Sequence, residues 1–436
     1  MAEIIPFRAL HYDAGAVGNL GKVVTQPYDK ITPDMQARYY QTSSHNLVRI
    51  IRRLSEAGET DPYAAAARDF RGWISQGVLV RDTTPALYPY DQEYAVPGTP
   101  HVRKRRRGFI ALCRLEEYAA HVVHRHEETL SGPKADRLAL LQATRAHFGQ
   151  IFLLYSDPEG ALERDIAAWA GQNAPWESVD DEYGTRHTVW RLASGPLLSH
   201  IPEALRERKL VIADGHHRYE TALAYRRSLP ESARTPATDY VMATFVRMES
   251  EGLVILPTHR VIHGLLGFDW TIFLSEATRY FDVKELSGEA SQDLRAWRDK
   301  LSQAGRGAPA FLAYAGHRRA ALLETRESTE EMEMAGTPPG LARLDVFILH
   351  RLVIEQVLGI SRDAVREEKN IHYEREAEAA VSAVDQGRAN LCLLVNPTPI
   401  EAVRDNAFAG QPMPQKSTDF YPKLLSGLTI YDLEDA

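Results

Sequence analysis

Residues 209–223, Lys-Leu-Val-Ile-Ala-Asp-Gly-His-His-Arg-Tyr-Glu-Thr-Ala-Leu, admit few conformations. The apolar run Leu210–Ala213 has the length and composition of a short buried strand. Asp214 and Gly215 interrupt it, and from Tyr219 to Arg227 good helix formers recur at helical spacing. The spacing therefore places Asp214, Gly215, His216, His217 and Arg218 where a strand ends and a helix begins. Such a junction offers backbone N–H groups without intrahelical partners and the positive end of a helix dipole, which together suit an anion. Glycine lets the backbone come close to a ligand, and arginine carries a fork matched to phosphate oxygens. Three readings follow for the turn: a phosphate site, a metal site built on Asp214 and the two histidines, or a structural turn. Adjacent side chains on a turn diverge, which weighs against chelation of one ion.

The elements around this junction alternate between helix and strand. A helix is expected over residues 135–147, a strand over Ile151–Tyr155, a helix around Leu162–Ala170, a strand over 187–192 and a helix over 202–207. Further out, residues 62–77 form an amphipathic pattern ending near Gly77. Leu87–Tyr94 and Gly108–Leu115 read as a hairpin whose loop carries the basic run Arg103–Arg107, expected as a solvated loop. Tyr240–Met248 and Leu253–Leu256 read as paired strands, Ala310–Tyr314 and Ala320–Leu323 as another hairpin, and Leu344–Leu358 as a strong helix.

With 436 residues the chain is long enough for two or three domains. We expect a mixed α/β (α+β) architecture with an N-terminal region over 1–115, a central core over 116–245 and a C-terminal region over 246–436. A net charge of -8, from 51 basic and 59 acidic residues, gives no basic surface for nucleic acid or an anionic membrane. No apolar stretch approaches the roughly 18 residues of a membrane span, and no signal peptide is evident, so a cytoplasmic setting is expected. Cys113 and Cys392 sit far apart in apolar runs and read as reduced core residues.

Other stretches have chemical potential. His124-Arg-His-Glu-Glu-Thr129 follows an apolar strand. It is either a solvated charged loop or a source of a general base, Glu127 or Glu128, with Arg137 nearby in sequence able to clamp a phosphate or carboxylate. Pro257-Thr-His-Arg260 closes a strand, and Lys416-Ser-Thr-Asp-Phe-Tyr-Pro-Lys423 lies in the C-terminal tail. The second joins Lys to Ser/Thr as a P-loop does, but lacks that loop's glycines. For both stretches, capping and packing are the alternative.

Taken together, Gln26-Pro-Tyr-Asp29, His126-Glu-Glu-Thr129, Asp136-Arg-Leu138, Ala213-Asp-Gly-His-His-Arg-Tyr-Glu-Thr-Ala222, Leu256-Pro-Thr-His-Arg260 and Met413-Pro-Gln-Lys-Ser-Thr418 resemble, in order and over nearly the whole chain, the prokaryotic family labelled domain of unknown function 1015. The middle of that family resembles the ParB/sulfiredoxin-like nucleotide-binding fold, which free serine kinases share. The resemblance implies that Gly215, His216, His217 and Arg218, with Arg137 and Thr129, bind nucleotide phosphates. It implies a catalytic set of Glu127, Asp214 and His216, with Glu127 matching the loop glutamate of the kinases. No cysteine lies in the turn, which argues against sulfiredoxin chemistry, and no basic domain follows, which argues against ParB.

The expected activity is therefore an ATP- or ADP-dependent phosphotransferase acting on a small hydroxyl metabolite, free L-serine first. Mg²⁺ would bridge the phosphates, with Asp214 as its candidate ligand. Arg260, His259, Lys416, Ser417 and Thr418 are the candidate substrate-binding residues. A nucleotide-binding regulator without turnover and a phosphoester hydrolase are the alternatives. The expected partners are substrate and nucleotide, without nucleic acid or membrane, and the sequence leaves the choice between monomer and homodimer open.

Overall fold

The computed structural model describes residues 1–54, 60–128, 132–286, 294–327 and 336–434. The architecture is mixed α/β, as expected. The chain forms two compact units: residues 1–125, 131–254 and 422–436 make the first, and 126–130 with 255–421 make the second.

The first unit is built on a nine-stranded sheet. Its strands are β1 (Ile4–Ile5), β2 (Tyr88–Val96), β3 (Thr99–Arg114), β4 (Val123–Arg125), β5 (Ile151–Tyr155), β6 (Glu177–Asp180), β7 (Arg186–Val189), β8 (Leu210–Asp214) and β9 (Tyr240–Arg247). The spatial order is β4-β8-β5-β9-β3-β2-β7-β6, with β1 alongside β3. All five residues of β5 are buried, as a continuous apolar strand covered on both faces requires. It runs antiparallel to β8 and parallel to β9. Residues 1–115, expected as a region of their own, thus share one sheet with the central strand–turn–helix.

Among the helices of this unit are α1 (Pro62–Ser75), α2 (Gly132–Thr144), α3 (Ala161–Gln172), α4 (Pro196–Leu205) and α5 (His216–Ser228). α1 starts because Asp61 accepts hydrogen bonds from the backbone N–H groups of Tyr63 and Ala64 while Pro62 occupies its first turn. It buries Ala65, Ala66, Phe70 and Trp73 at helical spacing. α5 starts three residues earlier than its periodicity suggests, so His216, His217 and Arg218 form its first turn.

Two sequence expectations need correction. Arg103–Arg107 do not lie in a loop: β3 extends through them and pairs Arg107 with Asp91 and Arg103 with Ala95. Arg107 binds Asp91 through two hydrogen bonds, and the guanidinium of Arg106 is buried over the Phe152 ring at 4.6 Å, donating to the Gln92 side chain and the Pro422 carbonyl. A strand that alternates its side chains can bury every second arginine when partners wait on the inner face. Nor does Tyr240–Arg247 pair with the strand after it; β9 lies between β3 and β5.

The second unit holds a six-stranded antiparallel sheet of β10 (His259–Ile262), β11 (Phe281–Leu286), β12 (Ala310–Tyr314), β13 (Ala320–Thr325), β14 (Ile371–Glu374) and β15 (Leu391–Val395), in the order β11-β13-β12-β15-β10-β14. The expected helix over 344–358 divides into a short α-turn, Asp345–Ile348, and a π-helical stretch, Leu349–Val357. Cys113 and Cys392 are free and buried. Among the described residues no helix is long and apolar enough to cross a membrane.

The sheet of the first unit is close-packed at Gly108. A Cβ there would stand 2.3 Å from the Phe245 carbonyl oxygen of the neighbouring strand, where Phe109 and Phe245 stack at 5.0 Å. The backbone of the neighbouring strand cannot give way, so Gly108→Ala should cost about 2–3 kcal/mol, read as a lower urea midpoint of unfolding.

Candidate functional site

In the first unit, β8 delivers its last residue through an irregularity. The register with β5 shifts between Ile212 and Asp214, and a bulge of this kind re-aims the side chain that follows. Gly215 then takes a left-handed conformation, φ 92° and ψ 24°, and serves as N-cap of α5 without any side-chain cap. A Cβ at Gly215 would meet the Arg218 guanidinium at 3.1 Å, so the arginine folds back over the glycine. Arg218 donates to the Gln150 carbonyl and approaches Asp214 Oδ2 at 3.4 Å. The result is a helix start with a glycine N-cap and a guanidinium above it, a setting that suits an anion.

Asp214 is the hub of this turn. Its Oδ1 accepts from the Gly215 N–H at 2.9 Å, and Lys423 Nζ stands 4.0 Å from its Oδ2. Burial works against ionisation of Asp214, but the charges of Lys423, Arg218, Lys30 and His216 outweigh it and hold the carboxyl well below the usual range. That arrangement does not fit Asp214 as a ligand of Mg²⁺, because a divalent ion there would face the lysine and arginine that already balance the carboxylate. No group of three or more metal-ligating side chains comes together among the described residues. No local signal marks Lys423 and Lys30 as members of this turn: Lys423 ends the stretch 416–423 and Lys30 directly follows Gln26–Asp29.

Arg137, expected near a phosphate, shares a pocket of the first unit with Arg218. Its guanidinium donates to Asp136 and to the Ile51 carbonyl, and packs 4.3 Å from the centre of the Tyr28 ring. The Tyr28 hydroxyl is pushed up by burial and by Asp29 and Asp214, against the pull of Arg218 and Arg137. Thr129, the remaining candidate for phosphate binding, lies outside the described residues.

The second unit gathers another polar cluster. Glu127 Oε1 accepts from the Thr418 backbone N–H at 2.8 Å and from the Thr418 hydroxyl at 2.9 Å. His126 Nε2 lies 2.7 Å from the same hydroxyl oxygen and 3.4 Å from Glu127 Oε1. With the hydroxyl donating to the carboxylate, His126 must carry its proton on Nε2 and donate to Thr418. The loop is anchored to residue 413, where the Met413 N–H donates to the His126 carbonyl and the Glu128 N–H to the Met413 carbonyl.

Arg260 is fully buried in this unit. It donates to the carbonyls of Thr258 and Lys416, and its Nε has no partner among the described residues. Burial pushes its pKa down to about 10, against the pull of Tyr373 and Glu127. Of the other expected substrate-binding residues, His259 uses Nδ1 to accept from the Val395 N–H, and Ser417 donates to the Pro414 carbonyl, so both serve packing. Lys416 is exposed. The structure thus gathers Gly215, Arg218, Asp214 and Arg137 in one unit and Glu127, Arg260 and Thr418 in the other. Only local strand and helix patterns could have pointed to the first group. The Glu127–Thr418 pair spans 291 residues of sequence and has no local signal.

These features define a mixed α/β protein with an uncapped, cation-rich strand-to-helix turn. The family model described as "Protein of unknown function (DUF1015)" matches residues 4–347, and the chain belongs to that family. Among solved structures, a conserved hypothetical protein from Pyrococcus furiosus is similar over 75% of this chain and 96% of its own, at 13% identity and a TM-score of 0.37. A free serine kinase variant in complex with AMP is similar over 73% of this chain and 92% of its own, at 12% identity and a TM-score of 0.38. SbnI from Staphylococcus aureus, truncated at its C terminus, is similar over 75% of this chain and 89% of its own, at 10% identity and a TM-score of 0.37. Comparison with curated proteins finds no match.

The buried histidines of the second unit give a pH dependence. Burial, together with the charge of Arg260, pushes His259 and His350 down to about 3. Unfolded histidine titrates near 6.5, so between about pH 6.5 and pH 3 the unfolded chain binds protons that the folded one refuses, and stability falls as pH drops. The slope reaches up to about 1.4 kcal/mol per pH unit for each histidine. Urea unfolding at pH 7, 5.5 and 4 should show this loss in the second unit, and His350→Gln should flatten it.

Proposed function

We propose that this protein is a nucleotide-dependent phosphotransferase that moves a phosphoryl group from ATP or ADP to the hydroxyl of a small metabolite, L-serine first, on a ParB/sulfiredoxin-like core. The observation that carries the reading is the uncapped start of α5, with Gly215 at φ 92° and Arg218 folded over it. Backbone N–H groups, the helix dipole and the guanidinium converge there, and Lys423 and Lys30 add positive charge around Asp214. Phosphates of the nucleotide would rest on residues 215–218, with His216 and His217 in the same first turn. Asp214 orders the cations instead of holding a metal.

In the transfer, the acceptor oxygen forms the new P–O bond while the bond from the terminal phosphorus to the bridging oxygen breaks. ATP leaves as ADP, or ADP as AMP, and the acceptor's proton passes to a base. Glu127 is the proposed base, since the Thr418 N–H and hydroxyl fix one of its oxygens in place. Phosphoryl transfer asks mainly for positioning and charge stabilisation, which backbone amides, arginines and one carboxylate can supply. A binding protein without turnover would need the turn but not Glu127, and a phosphoester hydrolase would use water in place of the metabolite.

Incubation with ATP or ADP, divalent ion and L-serine should yield O-phosphoserine. Glu127→Gln should lower the rate at least about 100-fold while the dissociation constant for nucleotide stays within about threefold. Arg218→Ala should weaken nucleotide binding about tenfold. Tight nucleotide binding without turnover of any small alcohol would leave the regulator reading; release of inorganic phosphate alone would favour the hydrolase.

A further inference from the structure

The pocket shared by Arg137 and Arg218 has a mixed lining. The Tyr28 ring, Leu140 and Phe148 are apolar, the two guanidinium groups and Thr221 are polar, and no carboxylate lines it among the described residues. Helix geometry explains the grouping. Arg137, Leu140 and Leu141 are spaced i, i+3, i+4 on α2, and Arg218 and Thr221 are spaced i, i+3 on α5, so each set shares one face. Gly149 opens the floor: a Cβ there would stand 3.2 Å from Arg218 Nη1 and 3.4 Å from Ser426 Oγ.

Thr221 is the informative residue. It is 4% exposed, and its hydroxyl has no hydrogen-bond partner among the described residues. A helical threonine usually satisfies its hydroxyl on the preceding turn, and a buried orphan hydroxyl costs stability unless something meets it. Valine would fill the same volume without that cost. Arg218 meanwhile belongs both to this pocket and to the phosphate turn, which makes the two spaces contiguous around one guanidinium.

We propose that this pocket holds the organic part of a phosphorylated small molecule whose phosphate lies at the start of α5, with a polar atom of that part hydrogen-bonded to the Thr221 hydroxyl. The inference rests on the phosphate reading of the turn given above, and goes beyond it by assigning Tyr28, Phe148 and Thr221 to ligand recognition. The required chemistry is an anionic head, which Arg218 and Arg137 attract, and a partly apolar body with at least one hydrogen-bonding atom. A nucleoside and an amino acid side chain both meet that description, and the measurement separates them.

Binding of inorganic phosphate, AMP and O-phospho-L-serine to the full chain is measured by calorimetry for wild type, Thr221→Val, Thr221→Ser and Leu140→Trp. One of the two organic phosphates should bind at least about tenfold more tightly than inorganic phosphate, identifying the source of the body. Thr221→Val should remove about five- to tenfold of that affinity and leave inorganic phosphate unchanged, while Thr221→Ser retains it. Leu140→Trp, which fills the pocket from its apolar lining, should abolish the preference for the organic ligand. Without ligand, Thr221→Val should melt at the same temperature as wild type or higher. Equal affinities for inorganic and organic phosphates, or a Thr221→Val protein that melts lower and binds the organic ligand as well as wild type, overturn this inference alone. If no phosphate compound binds wild type, or if Arg218→Ala leaves binding unchanged, the phosphate reading of the turn falls with it.

Discussion

The carboxylate of Asp214 is the charge around which the first unit's turn is arranged. Lys30, Arg218 and Lys423 come from three distant stretches of chain, and all act on this one acid. Without it, three cations would be drawn together beside the positive end of α5 with nothing to balance them. With it, the cations are held close, yet the helix start stays uncapped. An N-cap side chain would have satisfied the first turn internally; glycine at that position leaves the turn's donors to other partners. The turn therefore keeps a net positive charge that Asp214 only partly offsets, and its field favours an incoming anion.

The same economy governs the arginines of the sheet. Arg106 is buried because Gln92, the Pro422 carbonyl and the face of Phe152 receive its guanidinium. Its neighbour Arg107 pairs with Asp91 across the strands. The basic run that looks solvated in one dimension is divided by the strand's two-residue period into differently placed cations. The Pro422 contact also brings the C-terminal segment onto this sheet, directly before Lys423 reaches Asp214.

What could be read from the sequence follows from the range of the interactions involved. The strand–turn–helix was legible because its apolar run, its glycine and its helical spacing all lie within fifteen residues. The mixed α/β class followed from alternating periods. The start of α5 was displaced because His216 and His217 are indifferent helix formers, and only the left-handed Gly215 shows where the helix begins. The π-helical winding of 349–357 has no signature in an apolar pattern that suits an α-helix equally well. Partners separated by hundreds of residues, such as Glu127 with Thr418 or Asp214 with Lys423, obey no local rule, and an orphan hydroxyl at Thr221 exists only in three dimensions.

The hydrogen bonds at Glu127 bear on what kind of base it would be. One oxygen takes both the N–H and the hydroxyl of Thr418, and the two bonds fix its position. A carboxylate is a weak base, and weak bases suit reactions in which the proton leaves late. Phosphoryl transfer through a loose transition state is such a reaction, since the acceptor oxygen carries little new bonding when the phosphorus–oxygen bond to the leaving group is already long. Orienting the hydroxyl then matters more than deprotonating it, and a fixed carboxylate is better at orienting than a mobile one.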